Sequence, residues 1–226
     1  MKQLLLDLAA APEPSFANFA VGRNHELMAL LMAIARGESG ERFIYLWGDK
    51  GSGKSHLLSA VAVALAPSPR SLRGAATVPE IGAIAADETV LFDDVDQLTA
   101  TSQPALFHAY NRLHSGHGRL LASGTSPPPQ LNLLADLKSR LGWGIVLQVH
   151  VLSDEEKLDA LAQHATERGF KLAPEVIRYI LHHYSRDLPS LMQLLAALDQ
   201  YSLETKRAIT VPLLKEVLDN RPVAES

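Results

Sequence analysis

Apolar and polar positions divide the chain into two parts with different regular patterns. In roughly the first 150 residues, short apolar runs alternate with stretches in which apolar residues recur every three or four positions. The runs predict buried strands at residues 43–47, 89–92, 120–123 and 145–149, with a weaker candidate at 71–77. The longer stretches predict a helix that follows Asn24 as N-cap, carries residues 27, 30, 31 and 34 on one apolar face and is ended by the glycines at 37 and 40. They also predict helices at 56–65, 79–86 and 104–114, and a partly helical segment at 131–141. This alternation is typical of a parallel α/β sheet.

Beyond residue 150 the pattern is helical only. Ser153 and Glu156 have the spacing of a capping box. Helices are predicted at 158–168, 174–184, 188–203 and 211–219. We therefore expect an α/β base at residues 15–150 and a small all-helical domain at 151–226, preceded by a proline-ended tether at 1–14.

Composition excludes several classes of protein. The 226 residues carry a net charge of −4, which does not favour a broad nucleic-acid-binding surface. The absence of cysteine excludes disulfides and thiolate zinc sites and suits a reducing compartment. No apolar run reaches the roughly 18 residues of a membrane span, so no membrane association is expected. Asp7 interrupts the only stretch that resembles a signal peptide, and we therefore expect a cytoplasmic protein.

A glycine-rich segment between the first strand and the next helix fits the phosphate-binding pattern G-x-x-x-x-G-K-[ST]. Its glycines allow backbone N–H groups to surround phosphate oxygens, and the helix N-terminus adds positive potential. In this interpretation Lys54 binds the β- and γ-phosphates and Ser55 binds Mg²⁺. An ordinary Gly/Ser-rich turn is the alternative. The residues of the loop are Gly48, Asp49, Lys50, Gly51, Ser52, Gly53, Lys54 and Ser55.

An acidic pair follows the strand at 89–92, as in the Walker B pattern. A buried parallel strand delivers such carboxylates to its carboxyl end, where open α/β sheets bind their ligands. Asp93 is the predicted Mg²⁺ ligand through water, and Asp94 is placed to orient or deprotonate an attacking water. The alternative is a helix N-cap with a solvated acidic neighbour.

The N-terminal tether contains a sequence of the form Q-L-x-L-x-L. An extended peptide of this kind can insert its leucines into apolar pockets of a partner. It resembles the sliding-clamp-binding motif of bacterial replication proteins. The alternative is a segment packed on its own domain. The candidate clamp-binding residues are Gln3, Leu4, Leu6 and Leu8.

Taken together, these motifs resemble the AAA+ ATPases, and among them the DnaA initiator family. Residues 16–24, including Val21 and Gly22, are similar to the N-terminal box that lies against adenine. Thr125 lies at the position of sensor 1. Residues 138–144 are similar to box VII, which implies that Arg140 is an arginine finger reaching the nucleotide of a neighbouring subunit. The alternative for Arg140 is an ordinary surface ion pair.

The resemblance also implies that the helical domain is the lid of the AAA+ module. This chain departs from the family pattern at one position. Pro189 aligns with the sensor 2 arginine, and Arg186, three residues earlier, is the candidate substitute. Loss of sensor 2 weakens the expectation that this chain hydrolyses ATP by itself. The loss of sensor 2 matters much less for a protein whose role is to donate an arginine finger.

Two features favour the Hda branch of this family, whose members inactivate DnaA. The chain ends at Ser226, where the lid is expected to end, which leaves no room for a helix-turn-helix domain. It also carries the clamp-binding motif. The resemblance implies a protein that holds ADP or ATP with Mg²⁺ and binds the β sliding clamp of DNA polymerase III, and through it DNA.

That protein would supply Arg140 to ATP bound on DnaA, and its own homo-oligomeric state stays open. An autonomous AAA+ ATPase of the helicase-loader or clamp-loader kind is the alternative function. A non-enzymatic adaptor, for which nucleotide only sets the conformation, is a third.

Overall fold

A computed structural model describes residues 13–65, 67–167, 169–170, 172–183, 188–205 and 207–219. The chain forms two compact units, of which one spans Pro14–Val151 and the other contains the helices that follow Leu152. Among the described residues, no helix combines the length and the apolar character that crossing a bilayer requires.

The first unit is built on a five-stranded parallel sheet with the strand order β2-β3-β4-β1-β5. The strands are β1 (Phe43–Trp47), β2 (Arg70–Arg73), β3 (Thr89–Asp93), β4 (Arg119–Gly124) and β5 (Ile145–Gln148). The helices are α1 (His25–Ala35), α2 (Lys54–Ala64), α3 (Val78–Gly82), α4 (Ser102–Ser115) and α5 (Ala135–Leu141). Short 3₁₀ turns follow β3 (Val95–Gln97) and β4 (Pro128–Gln130).

Side chains of the central strands alternate between two apolar layers, because successive strand residues point to opposite faces. Leu46 and Leu91 pack in one layer with α1 and α2. Tyr45 and Phe92 pack in the other with α3, α4 and α5. The central strands are covered on both faces, which explains why they read as continuous apolar runs.

The predicted fold class is confirmed: an α/β base with a parallel sheet is followed by a helical C-terminal part. Two elements are shorter than predicted: α3 ends at Gly82 rather than at residue 86, and β2 ends at Arg73 rather than near residue 77. The Ala76 amide donates to the Arg73 carbonyl over 2.7 Å and closes a turn there. The strand lies at the sheet edge and is only half-buried, so its sequence lacks a continuous apolar run.

The second unit consists of α6 (Asp154–Glu167), α7 (Pro174–His183), α8 (Leu188–Thr205) and α9 (Val211–Asp219). Its own apolar core includes Leu161, Ile180 and Leu198. The predicted capping box is confirmed. The Ser153 amide donates to Glu156 Oε2 over 2.7 Å, and the Glu156 amide donates to Ser153 Oγ over 3.2 Å.

Candidate functional site

A glycine-rich loop joins the carboxyl end of β1 to the first residue of α2. The Ser52 amide closes its turn by donating to the Asp49 carbonyl over 3.2 Å. Gly53 has φ +101°, a conformation that residues with a Cβ rarely adopt. A Cβ there would also lie 2.6 Å from Cε2 of Phe19. Glycine at this position therefore makes room both for the turn into α2 and for the Phe19 ring.

Lys54 occupies the start of α2 and is only 6% exposed. Its ammonium group donates to the carbonyl oxygens of Gly48 and Asp49, over 2.7 and 3.0 Å. Burial lowers the pKa of Lys54, and nearby carboxylates, of which Asp94 has the largest effect, oppose that shift. The amine is thus held within the loop, on the side of the pocket that faces the acidic end of β3.

Three properties of this loop fit a phosphate-bearing ligand. Ser52 Oγ is buried and finds no hydrogen-bond partner among the described residues. The amides of Lys54, Ser55 and His56 form the first turn of α2 and have no acceptor within the helix. They carry the positive end of the helix dipole, which favours anions. The exposed Ser55 hydroxyl is available to a cation bound beside those phosphates.

The acidic pair lies at the carboxyl end of β3, as predicted. Asp93 is buried and accepts a hydrogen bond from Ser123 Oγ, while the Asp94 amide donates to the same Ser123 oxygen over 3.1 Å. Sequence reasoning missed Ser123. No local sequence signal distinguished it, because only the structure shows that its hydroxyl is fully buried and therefore needs a polar partner.

A metal at this edge would have few protein ligands. Within the described part of the chain, no group of three or more His, Cys, Asp or Glu residues could hold an ion. Mg²⁺ commonly takes one or two carboxylates and completes its shell with water and phosphate oxygens. Asp93 and the Ser55 hydroxyl fit that sparse arrangement.

Asp94 has an unusual backbone and an unusual electrostatic environment. Its φ is +53°, a left-handed conformation that Asp and Asn adopt more readily than most residues. Burial raises the pKa of its carboxyl, and Asp93 and Asp96 raise it further, against the opposing charges of Lys54 and Arg73. A carboxyl held in this way beside a phosphate loop is suited to accept a proton.

Thr125 follows β4 and is exposed. Its hydroxyl donates to Asp96 Oδ2 over 3.1 Å, and Asp96 Oδ1 is buried without a hydrogen-bond partner among the described residues. Tyr45 donates to the Ser126 carbonyl over 2.8 Å and fixes the same turn. The predicted sensor position is therefore tied to the segment that follows Asp94.

The predicted adenine-contacting segment packs against the phosphate loop. Phe19 lies beside Gly53, and its ring centroid is 5.5 Å from that of His56 on α2. Val21, which is half-buried as Gly22 is, packs on the core layer of α1 and α2. Its carbonyl accepts the Asn24 amide over 2.9 Å.

Asn24 occupies the N-cap position of α1, as predicted, but its side chain makes no capping hydrogen bond. Its side-chain amide instead donates to the His150 carbonyl over 3.0 Å, and its side-chain oxygen accepts the His150 amide over 2.8 Å. The pair ties the start of α1 to the segment after β5.

Arg140 lies away from the phosphate loop, in the last turn of α5. Its Nε donates to Asn111 Oδ1 over 2.8 Å, in the last third of α4. Its guanidinium carbon is 3.7 Å from the ring centroid of Trp143 and 5.5 Å from that of Phe107. Among the described residues, its two Nη groups have no hydrogen-bond or carboxylate partner.

The surroundings of Arg140 belong to the amino end of β1, opposite the phosphate loop. A Cβ on Gly144 would overlap the carbonyl oxygen of Phe43, the first residue of β1, so the backbones touch there. The His114 ring, at the end of α4, lies 5.6 Å from the Phe43 ring and 6.1 Å from the Trp143 ring. The five residues of β1 separate this end from the phosphate loop by about 16 Å.

The predicted site residues thus fall into three groups. The phosphate-loop residues, Asp93, Asp94 and Thr125 lie at the carboxyl edge of the sheet, with Val21 and Gly22 in the segment beside the loop, and Arg140 lies at the other end. Gln3, Leu4, Leu6, Leu8 and Arg186 lie outside the described residues, as does the side chain of Pro189.

Comparison with known families identifies the C-terminal unit. The family described as "Hda, lid domain" matches residues 154–218. That range begins at the first residue of α6 and ends inside α9.

Comparison with solved structures identifies the fold of most of the chain. Domain III of the replication initiation protein DnaA from Thermotoga maritima matches with TM-score 0.71 and 21% identity, over 92% of this chain and 97% of that one. AMPPCP-bound DnaA from Aquifex aeolicus matches with TM-score 0.66 and 19% identity, over 86% and 70%. A single-residue variant of Thermotoga maritima RuvB matches with TM-score 0.70 and 17% identity, over 93% and 73%. At these identities the likenesses establish the AAA+ fold.

Proposed function

Because this chain belongs to the DnaA/Hda family of AAA+ proteins, we propose that it is a negative regulator of chromosomal replication initiation. In this proposal it binds an adenine nucleotide in its own loop and stimulates hydrolysis of the ATP held by DnaA. Arg140 is the residue supplied in trans. The carrying observation is that Arg140 lies at the end of β1 opposite the phosphate loop, with both Nη groups free of partners among the described residues.

The geometry of the phosphate loop supports the nucleotide part of the proposal. Lys54 and the first-turn amides of α2 would bind the phosphates, and Ser55 with Asp93 would bind Mg²⁺, which neutralises phosphate charge. Residues 16–22, packed beside Gly53, would contact the adenine. Two DnaA structures that share this fold contain the ATP analogue AMPPCP, which supports an adenine nucleotide here.

Chemistry as well as position supports a role in trans. A guanidinium that approaches the transferring phosphoryl group stabilises the charge that develops there, an effect of roughly 10³–10⁵ in rate in other systems. Arg140 uses only Nε for internal bonding, so its Nη edge is available to an oxyanion. An ordinary surface ion pair would instead engage that edge with a carboxylate.

The direct test follows ADP formation on ATP-bound DnaA mixed with this protein and clamp loaded on DNA. We expect stimulation by the wild-type protein and a loss on the order of 10³-fold in Arg140→Ala. Arg36→Ala is the matched control, because Arg36 is exposed and pairs with Glu38 at 2.9 Å. Stimulation that survives Arg140→Ala refutes the proposal.

Clamp binding through the N-terminal tether is the second part of the proposal. The motif Q-L-x-L-x-L supports it. Leu6→Ala with Leu8→Ala is expected to abolish retention on clamp-coated beads, because both leucines would fill apolar pockets. Leu5→Ala changes the same type of residue at a variable position and is the matched control. If the wild type, the double variant and Leu5→Ala are retained equally, the tether does not bind the clamp.

One observation favours an autonomous ATPase as the second candidate. The raised pKa of Asp94, beside Lys54, suits a base that acts on water in the chain's own pocket. That function predicts steady ATP turnover by the protein alone, abolished in Asp94→Asn. Turnover that requires DnaA and is lost in Arg140→Ala favours the regulator instead.

A further inference from the structure

We propose that Asn111 and Trp143 are positioning residues for Arg140, which hold its guanidinium with the Nη edge directed outward. The inference rests on the proposed function, because it assigns residues to the activation step. The contacts themselves exist whichever reaction Arg140 serves.

The guanidinium is held from two directions. Asn111 Oδ1 accepts the Nε hydrogen at 2.8 Å, which fixes the end of the group nearest the backbone. Trp143 lies 3.7 Å from the guanidinium carbon, and Phe107 lies 5.5 Å from it. Stacking on aromatic faces uses the flat sides of a guanidinium and leaves its N–H edge free. One hydrogen bond and one close stack therefore restrict rotation without using the Nη donors.

Trp143 is itself fixed, although 58% of its surface is exposed. Its amide donates to the Arg140 carbonyl over 3.1 Å, so the two residues share one turn. The His114 ring lies edge-on to it at 6.1 Å, and Gly144 is packed against the Phe43 backbone. Burial in a core does not explain a tryptophan this exposed, whereas a platform for the adjacent cation does.

The competing explanation is that these contacts only attach α5 to α4. Attachment alone would change stability, or the concentration at which the protein acts, when a contact is removed. Positioning predicts a lower maximal stimulated rate at unchanged half-saturating concentration. The two roles therefore differ in a measurable quantity.

The activity test measures DnaA-bound ATP hydrolysis over a range of protein concentrations. Trp143→Leu is expected to lower the maximal rate about fivefold, the effect of one cation–π contact. Asn111→Leu is expected to lower it about tenfold, the effect of one charge-assisted hydrogen bond. Trp143→Phe keeps an aromatic face and should retain most of the rate. Ser115→Ala, one turn beyond Asn111 on the exposed side of α4, is the control.

A second measurement does not depend on DnaA. The Nε–H signal of Arg140 in a ¹⁵N NMR spectrum of the full chain can be assigned by its absence from Arg140→Lys. Its exchange with water should be about tenfold slower than that of exposed Arg23, since one charge-assisted hydrogen bond protects it. Asn111→Leu should remove that protection.

The outcomes separate this inference from the proposed function. Loss of maximal rate in Trp143→Leu and Asn111→Leu, with slow exchange in the wild type, supports the inference. Unchanged maximal rates, or changes only in half-saturating concentration, overturn it. If Arg140→Ala has no effect on stimulation, the proposed function fails, and the exchange rate alone then decides whether Asn111 holds the guanidinium.

Discussion

Ser123 provides the sharpest test of how the acidic edge is assembled. Its side chain is fully buried and makes two hydrogen bonds, donating to Asp93 and accepting from the Asp94 amide. Replacement by alanine removes a bond to a buried carboxylate, worth about 1.5–3 kcal/mol, and leaves the Asp94 N–H unpaired. Part of that loss is offset, because the hydroxyl no longer has to be desolvated. We expect Ser123→Ala to lower the free energy of unfolding by about 3 kcal/mol.

Ser102 is the matched comparison, because it is also buried, at 3% exposure. Its hydroxyl donates to the Ala76 carbonyl over 3.0 Å and accepts from the Thr99 hydroxyl over 3.0 Å, so both of its partners are neutral. We therefore expect Ser102→Ala to cost about 1 kcal/mol, the contribution of the bond to Ala76, because the exposed Thr99 hydroxyl can bond to water instead. The difference between the two variants measures what the charged acceptor and the unpaired Asp94 N–H add to the cost of losing a neutral hydrogen bond.

Urea unfolding followed by tryptophan fluorescence measures this difference in the full chain. Trp47 and Trp143 are the two tryptophans, and both belong to the unit Pro14–Val151. The signal therefore reports on that unit rather than on the C-terminal helices. If Ser123→Ala costs no more than Ser102→Ala, the bond to Asp93 contributes nothing beyond a neutral one, and the reasoning is refuted.

Three other substitutions test separate parts of the first unit. Gly144→Ala should destabilise it by about 1–3 kcal/mol in urea unfolding, because the added Cβ overlaps the Phe43 carbonyl. Lys54→Met should reduce nucleotide affinity at least about 100-fold by calorimetry without destabilising the free protein, because it removes a buried ammonium. Glu88→Gln should cost up to about 1 kcal/mol at pH 7, by loss of the 2.6 Å contact with half-buried Arg70. Burial opposes ionisation of Glu88, but Arg70 and the hydrogen bond from the Ala85 amide outweigh it and lower the pKa of Glu88 below 4.5. The cost of Glu88→Gln should therefore disappear when unfolding is measured at progressively lower pH below 4.5.

Local sequence was sufficient to predict a feature wherever that feature depends on an apolar run or on a fixed spacing of residues. The phosphate loop follows from glycine and lysine spacing after an apolar run, and β1 was predicted with the bounds it has. The capping box at Ser153 depends on a residue three positions away. Each of these features is complete within a few residues, so no knowledge of the fold is needed.

Features that depend on the pairing of strands or the packing of helices could not be predicted in the same way. Ser123 reaches Asp93 only because β4 pairs with β3, across 30 positions of sequence. Asn111 reaches Arg140 across 29 positions, through the packing of α4 against α5. Both partners are ordinary polar residues, and only the fold distinguishes them from solvated ones. The sequence could thus propose the chemical groups at the site, but not the residues that hold them.

The length of β1 decides what this arrangement can do. Gly48 follows its carboxyl end and Phe43 begins its amino end, about 16 Å away along the strand. Arg140 is held at the Phe43 end by contacts on α4 and α5, and an arginine side chain does not span that strand. Whatever phosphate Arg140 meets must therefore be carried by a second molecule. Under the proposed function, a variant that empties the phosphate loop and a variant that removes the guanidinium would therefore affect two different nucleotides, and measuring each nucleotide separately would distinguish the two variants.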